Sequence, residues 1–142
     1  MLPNSELQPE IEVSLQIEKS KEAGTYIWKT TYKTPTGLVV KDYLLRETDA
    51  EKGLFEMNEQ NGILIPSSFL GNELWSLFEV GGVLLTAIYQ FSPESISLTI
   101  SSARRADEMR SGGVILNNDS IPVVISYPVY AIQKVILKKS KS

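Results

Sequence analysis

Aromatic side chains recur at alternate positions early in the chain, where they could line a binding cavity. Tyr26, Trp28 and Tyr32 share one face of an extended segment, and Lys29 and Lys33 belong to the other. Because a buried ammonium group is costly, the lysines are expected outside and the aromatic side chains inside. Aromatic rings offer a ligand a large contact area, and tyrosine hydroxyls orient a polar group. The pattern predicts a cavity wall, with an ordinary packed core as the alternative.

The same reasoning adds two tyrosines from later segments. Tyr43 shares a face with Leu45, and Tyr89 shares one with Leu85 and Phe91. Two arginines occupy strand positions at which an inward direction is possible, and a surface position is the alternative for both. The predicted ligand-binding residues are Trp28, Tyr32, Tyr43, Tyr89, Arg46 and Arg104.

The composition removes most other chemistry. The 142 residues include 14 Lys plus Arg and 17 Asp plus Glu, but neither His nor Cys. The sequence therefore excludes an imidazole general base, thiolate catalysis, disulfides and the usual zinc sites. One carboxylate pair, Asp42 with Glu56 on adjacent predicted strands, is more typical of a solvated face than of an acid and a base. We expect no catalytic residues, no metal, no cofactor and no nucleic-acid partner.

Alternation of polar and apolar residues predicts that β-strands position the aromatic side chains. The segment Glu10–Glu18 alternates without an error, which is typical of a half-buried strand. The dipeptide Asn61-Gly62 predicts a type I′ hairpin turn, in which both central residues have positive φ. Further strands are predicted at Thr25–Lys33, Leu38–Glu47, Leu54–Glu59, Ile63–Ile65, Leu74–Val80, Val83–Phe91, Ile96–Ser101, Pro122–Tyr127 and Val129–Lys138.

Two segments interrupt this alternation. Pro66–Asn72 is expected to be an irregular crossing or one helical turn capped by Ser67. Arg104–Ser120 is expected to be a long loop, or a loop that holds the short strand Val114–Leu116. The other connections are short, so residues 1–142 are predicted to form one all-β domain, an antiparallel up-and-down meander of about eight to ten strands closed into a barrel. A two-sheet β-sandwich is the alternative.

A family resemblance follows from these hairpins. Trp28, the string from Lys41 to Met57, the Asn61-Gly62 turn and the segment Leu74–Val80 resemble the repeating hairpins of lipocalin-like proteins of the calycin superfamily. The resemblance implies a barrel that binds a small apolar molecule in its interior. It also implies, by similarity to fatty-acid-binding proteins, that an interior arginine with a tyrosine holds a ligand carboxylate. The Gly-Xaa-Trp signature of true lipocalins and the haem-ligating His of nitrobindin-like proteins are absent from this sequence.

Three functions are compatible with the sequence. The first is a lipocalin-like protein that binds a small hydrophobic ligand inside the barrel. The second is a non-enzymatic structural or protein-interaction module with a packed barrel interior. The third is an isomerase or cyclase acting on a lipid-like substrate, which needs a polar pair facing a cavity. A sizeable internal cavity separates the first function from the second.

The two ends of the chain are expected to be tails. Residues 1–9 are predicted as an N-terminal tail and residues 139–142 as a basic C-terminal tail. Met1–Glu6 lack a basic region followed by an apolar stretch, so no signal peptide is expected within this chain. No apolar stretch reaches the roughly 18 residues of a membrane span. The compartment stays open between the cytoplasm and, after removal of an export signal, the periplasm or the exterior; the oligomeric state is not indicated.

Overall fold

Strands dominate the computed structural model, which describes residues 12–139. They make up 72% of it and helix 5%, so the prediction of an all-β protein is confirmed. The strands are β1 (Glu12–Lys19), β2 (Thr25–Thr34), β3 (Gly37–Asp49), β4 (Leu54–Asn58), β5 (Leu64–Leu70), β6 (Glu73–Val80), β7 (Val83–Phe91), β8 (Ser95–Arg104), β9 (Met109–Gly112), β10 (Ile115–Leu116), β11 (Asp119–Ser120), β12 (Val123–Ser126) and β13 (Val129–Lys139). Two short 3-10 helices occupy Ala50–Lys52 and Arg105–Asp107. None of the described residues forms a helix that is long and apolar enough to cross a membrane.

The predicted tails fall mostly beyond these residues. Residues 1–9 lie outside the described part of the chain, as do residues 140–142. Lys139, which was predicted to begin the basic tail, instead ends β13.

Nine strands form one curled sheet rather than two packed sheets, in the order β1-β13-β8-β7-β6-β5-β4-β3-β2. Consecutive strands from β1 to β8 pair antiparallel, and β13 pairs antiparallel with β8. The sheet curls far enough for β1 and β13 to meet in parallel at two residue pairs, Ser14 with Lys138 and Leu15 with Lys139. An odd number of alternating strands brings the first and last into the same direction, which explains the parallel contact. The antiparallel meander is confirmed as a curled sheet; the contact of two pairs is too short to establish barrel closure.

The inner face of the curled sheet carries the core. Trp28 is 1% exposed, whereas Lys29 and Lys33 are exposed on the outer face, which confirms the predicted direction of β2. Tyr26 and Tyr32 pack against the core from the same strand. The buried cluster consists of Val13, Leu15, Trp28, Leu45, Met57, Leu74, Ile96 and Leu137.

The segment Pro66–Asn72, predicted to break the pattern, is mostly strand. β5 runs through Pro66 and pairs with β4 from Leu64 to Ser68, so neither an irregular crossing nor a helical turn forms there. Its pairing with β6 covers only Ser68 to Leu70. Proline lacks an N–H donor and is tolerated where one side of a strand has no ladder, as on the β6 side here.

The connection between β4 and β5 is a hairpin, but not of the predicted type. Positive φ occurs at Gln60 (64°) and Gly62 (98°) and not at Asn61. Asn58 Oδ1 accepts a hydrogen bond from the Gln60 backbone N–H at 2.7 Å, and Asn61 Oδ1 accepts one from the Ile63 N–H at 3.1 Å. These side-chain bonds stabilise a longer loop than a type I′ turn allows. The hairpin prediction is confirmed, and the turn type predicted at Asn61-Gly62 is wrong.

The segment Arg104–Ser120, predicted as a long loop, belongs largely to a separate β-hairpin. We call residues 109–126 the arm: β9 pairs with β12, and β10 pairs with β11 near its tip. The strand predicted at Pro122–Tyr127 corresponds to β12, which pairs within the arm and not with the curled sheet. The short strand predicted at Val114–Leu116 is present as β10.

Candidate ligand site on the inner face

An aromatic contact across the inside of the sheet closes one end of the candidate site. The Trp28 ring on β2 meets the Tyr89 ring on β7 edge to face, with centroids 4.9 Å apart. Phe91, on the same face of β7, lies 6.3 Å from the Trp28 ring. We call the four largest fully buried side chains the floor: Leu15, Trp28, Leu74 and Leu137, each at most 2% exposed. Side chains packed this closely leave no room for a ligand at their level.

Three tyrosines and one carboxylate lie beside the floor. Tyr32 comes from β2, Tyr43 from β3 and Tyr89 from β7. The β3–β4 ladder ends at Asn58, so the next residue, Glu59, follows opposite Tyr43. The Glu59 carboxylate is close enough to the Tyr43 phenol to raise its pKa, both as a charge and as a hydrogen-bond acceptor. We call Tyr32, Tyr43, Tyr89 and Glu59 the tyrosine cluster.

Burial and charge keep the three phenols of the cluster protonated. The pKa of Tyr43 is raised to about 12, first by burial and then by the Glu59 charge, by Tyr32 and by the hydrogen bond to Glu59. Burial and then the Glu59 charge raise the pKa of Tyr32. Burial is also the largest cause of the raised pKa of Tyr89, followed by the other members of the cluster. The cluster therefore offers a ligand neutral hydroxyl groups and one carboxylate.

Beyond the cluster the inner face is partly open to solvent. Phe78, Leu85 and Ile100 are half-buried, although the strand alternation directs them inward. Gln133 of β13, which pairs with Ile100 on this face, is exposed. The inner face thus passes from a dry floor through polar groups to an accessible apolar wall. Such an arrangement suits a small molecule with one polar end.

Two serines bridge β5 and β6 where the strands part. The Oγ atoms of Ser67 and Ser76 lie 2.8 Å apart, and both residues are buried. Their hydrogen bond continues the contact beyond Ser68, where the backbone ladder ends. An open cleft of about 500 Å³ lies at this place, lined by Pro66, Trp75 and neighbours that carry no charge. With no charged side chain in its lining, the cleft offers less to orient a ligand than the tyrosine cluster does.

The two predicted arginines lie apart from the cluster. Arg46 is on the outer face of β3, where its Nη2 is 3.1 Å from Glu56 Oε1. Arg104 ends β8, about 20 Å along the strand beyond the position that pairs with Tyr89. Its guanidinium lies 4.1 Å from the ring centroid of Tyr130. The structure brings together Trp28 and the three tyrosines of the predicted site, and it leaves both arginines outside.

Sequence reasoning missed Glu59. Phe55, Met57 and Glu59 stand at alternate positions, so the alternation that directs Met57 inward directs Glu59 inward as well. That signal was present in the sequence. The polar residues around Glu59, from Asn58 to Asn61, are typical of a solvated turn and favoured an outward position instead.

Neither a metal site among the described residues nor a known relative indicates a function for this chain. Within residues 12–139, no group of three or more acidic side chains is placed to hold a metal ion. The chain matches no protein-family model, no curated protein and no solved structure. A functional conclusion therefore depends on the geometry of the inner face.

Proposed function

We propose that this chain is a lipocalin-like protein that binds a small, mainly apolar molecule on the inner face of the curled sheet. The tyrosine cluster carries the proposal, because its polar groups converge immediately beside the dry floor. Such convergent polar groups in apolar surroundings fix one end of a ligand. The half-buried side chains of Leu85 and Ile100 supply contact area for the rest of it.

The proposal includes a barrel closed between β1 and β13. The parallel contact at Ser14 and Leu15 supports closure, since it lies where a meander with an odd number of strands has to join. Closure would remove both free edges of the sheet and enclose the ligand. Hydrogen exchange tests it: amides of β1 that face β13 should be protected as strongly as those that face β2. Fast exchange on the β13 side alone would leave an open sheet.

Intrinsic fluorescence tests ligand binding, because the two tryptophans of the chain occupy different faces. Trp28 lies in the floor, whereas Trp75 is 38% exposed and its Nε1 donates to Glu73 at 3.2 Å. In a Trp75→Phe variant, only Trp28 reports. We expect a neutral environment-sensitive dye to change the Trp28 emission saturably and to raise the Tm. A ligand at a hundred times its Kd stabilises the folded state by about 2.7 kcal/mol.

The matched control keeps only the outer tryptophan. In a Trp28→Phe variant the Trp75 emission should stay constant during the same titration. Retinoids, sterols and long-chain alcohols should displace the dye from the Trp75→Phe protein. If the dye and all three ligand classes leave both the emission and the Tm unchanged, the proposal is wrong.

The arm favours a second candidate function, a protein-interaction module. An isolated two-stranded ribbon is marginally stable in water, and its edges invite pairing with another strand. The partner that fits is a second copy of this chain, because two ribbons related by a two-fold axis join edge to edge into a four-stranded sheet. Apolar side chains of the arm are 41–75% exposed: Met109, Val114, Ile115, Leu116, Val123, Val124 and Ile125.

Sedimentation velocity tests this second candidate. We expect a dimer that Val124→Lys in the arm dissociates. The control is Leu77→Lys, which places the same charge at a residue of the curled sheet that is 73% exposed and should leave the dimer intact. A wild-type chain that stays monomeric at micromolar concentrations would exclude self-association through the arm.

A further inference from the structure

Glu59 is a half-buried carboxylate without a cationic partner among the described residues. The ion pairs of residues 12–139 are Arg46 with Glu56, Arg104 with Asp107, Arg105 with Glu79 and Arg110 with Glu108. Glu59 takes part in none of them, and its cross-strand neighbour is the uncharged phenol of Tyr43. Carboxylates that are partly removed from water are normally paired with positive charge. Glu59 therefore has the capacity to bind a cation.

The aromatic rings near Glu59 also favour the binding of a cation. The face of an aromatic ring attracts a cation that comes within about 6 Å of its centroid. Lys41 shows that such a face is accessible to a cation, since its Nζ lies 5.8 Å from the Tyr32 ring centroid. A positive group placed beside Tyr32 and Glu59 would meet one ring face and one carboxylate.

We propose that the inner face binds a cation with an apolar body, namely a protonated amine or a quaternary ammonium compound. The inference rests on the proposed function and names its ligand class. The ammonium group lies at Glu59, and the apolar body extends towards Leu85 and Ile100. An anionic head group would meet the Glu59 carboxylate at the same place and be repelled. This is the opposite of the carboxylate ligand expected from Arg46 and Arg104, because neither arginine reaches the cluster.

Lys41 is the competing charge, since the alternation of β3 places it on the inner face near Tyr32. Its side chain is exposed, so water and salt screen its ammonium group. Glu59 is half-buried and is screened less. We therefore expect Glu59, and not Lys41, to set the sign of the charge that the site prefers.

Three probes of equal chain length test the inference: decylammonium, decanol and decanoate. Each is titrated below its micelle concentration into the Trp75→Phe protein, with Trp28 emission as the readout and calorimetry as the second measurement. We expect decylammonium to bind at least about tenfold more tightly than decanoate, with decanol between them. Because this order is measured without altering Glu59, it does not depend on whether a Glu59 variant folds.

Two matched variants assign the preference to one carboxylate. Glu59→Gln should abolish the difference between decylammonium and decanoate while leaving the Kd of decanol unchanged. Glu56→Gln removes an equal charge from the outer face and should leave the order as it was. Equal or tighter binding of decanoate by the unaltered site would overturn the inference and leave the proposed function standing. If none of the three probes binds although the neutral dye does, the inference fails and the proposed function stands; if the dye and the three ligand classes tested with it also do not bind, both fail.

Discussion

The curled sheet and the arm are both built from β-hairpins, yet the sheet alone buries large side chains. Leu15 in β1 is 2% exposed, and Ile115 in β10 is 75% exposed. Both are apolar residues in paired strands. The curl of the sheet brings inner side chains from distant strands into contact, as at Trp28 and Tyr89, whereas a two-stranded ribbon offers no such partner. Burial in this protein therefore results from curvature and not from strand formation alone.

The curled sheet and the arm should differ most in the free energy of unfolding that is lost when a large side chain is truncated to alanine. Trp28→Ala empties the floor and should lower the free energy of unfolding by about 3–5 kcal/mol. Ile115→Ala should change it by less than about 0.5 kcal/mol, because the side chain is exposed. Urea denaturation followed by circular dichroism measures both. Equal losses would contradict the comparison.

A conservative variant separates volume from polarity in the floor. Trp28→Phe keeps much of the buried ring and removes an indole N–H that has no hydrogen-bond partner among the described residues. Trp28→Phe should lower the free energy of unfolding much less than Trp28→Ala does, since an unpaired buried donor contributes unfavourably to stability.

Alanine substitutions at one glycine of the curled sheet and one glycine of the arm compare the stability of the two regions in a second way. Gly53 has φ 69°, and a Cβ there would lie 2.6 Å from the Phe69 carbonyl oxygen in the curled sheet. Gly53→Ala should lower the free energy of unfolding by about 1–3 kcal/mol. Gly112 in the arm has φ 74°, and its added Cβ would overlap the Pro122 carbonyl oxygen. Gly112→Ala should open the arm while the calorimetric Tm of the sheet stays unchanged.

The control for these glycines is Gly71→Ala. Gly71 has φ 63° but open space around the added Cβ, so it measures the backbone conformation without the contact. Gly71→Ala should lower the free energy of unfolding less than Gly53→Ala does. If Gly112→Ala instead lowers the Tm as far as Gly53→Ala does, the arm and the sheet unfold together.

The sheet could be predicted from alternation because one face of each strand is dry. Lys29 and Lys33 determined the direction of β2, and Trp28 and Tyr32 followed inward. The direction of Arg46 could not be determined in this way, because both faces of β3 carry apolar residues. The strand through Pro66 was not predicted, for another reason. Proline destabilises a strand where its missing N–H would have bonded to a neighbouring strand, and the sequence does not show that β6 leaves this part of β5 unpaired.

The arm and part of the site lay beyond sequence reasoning. Val123, Val124 and Ile125 are consecutive apolar residues, a pattern typical of a strand covered on both faces, yet all three are exposed. The inward direction of Trp28, Tyr32 and Tyr89 was predictable from the alternation of their strands, whereas the direction of Tyr43 was as undetermined as that of Arg46 on the same strand. Their proximity to Glu59 depends on the register between β3 and β4, which no local pattern specifies.

Alkaline pH should act on the sheet, since the arm contains no tyrosine. The pKa of Tyr43 is about 12 in the folded protein, above the value of about 10 for an unfolded tyrosine. The folded state holds this proton more tightly, so its stabilising contribution is complete below pH about 10 and is lost as the pH rises towards 12. Urea midpoints should therefore fall more steeply with pH in the wild type than in Tyr43→Phe.

A second variant identifies the cause of that pKa. In Glu59→Gln the phenolate absorbance of Tyr43 should appear at a somewhat lower pH than in the wild type, but still above the unfolded value, because burial is the main cause. Identical pH profiles for the wild type and Tyr43→Phe would show that Tyr43 ionises in the folded state as it does in the unfolded chain.

The smallest effects are expected at exposed ion pairs. Arg46 and Glu56 are direct cross-strand partners in the sheet, with Nη2 and Oε1 3.1 Å apart. Arg46→Gln should lower the free energy of unfolding by at most about 1 kcal/mol, and the loss should shrink at high salt. Arg110 in the arm lies with its Nε 3.5 Å from Glu108 Oε1. Arg110→Gln should have no measurable effect in either salt, because breaking this contact exposes no part of the buried core. A salt-dependent loss at Arg110 as large as that at Arg46 would mean that the arm unfolds cooperatively with the sheet, and curvature would then no longer explain which part of the chain is stable.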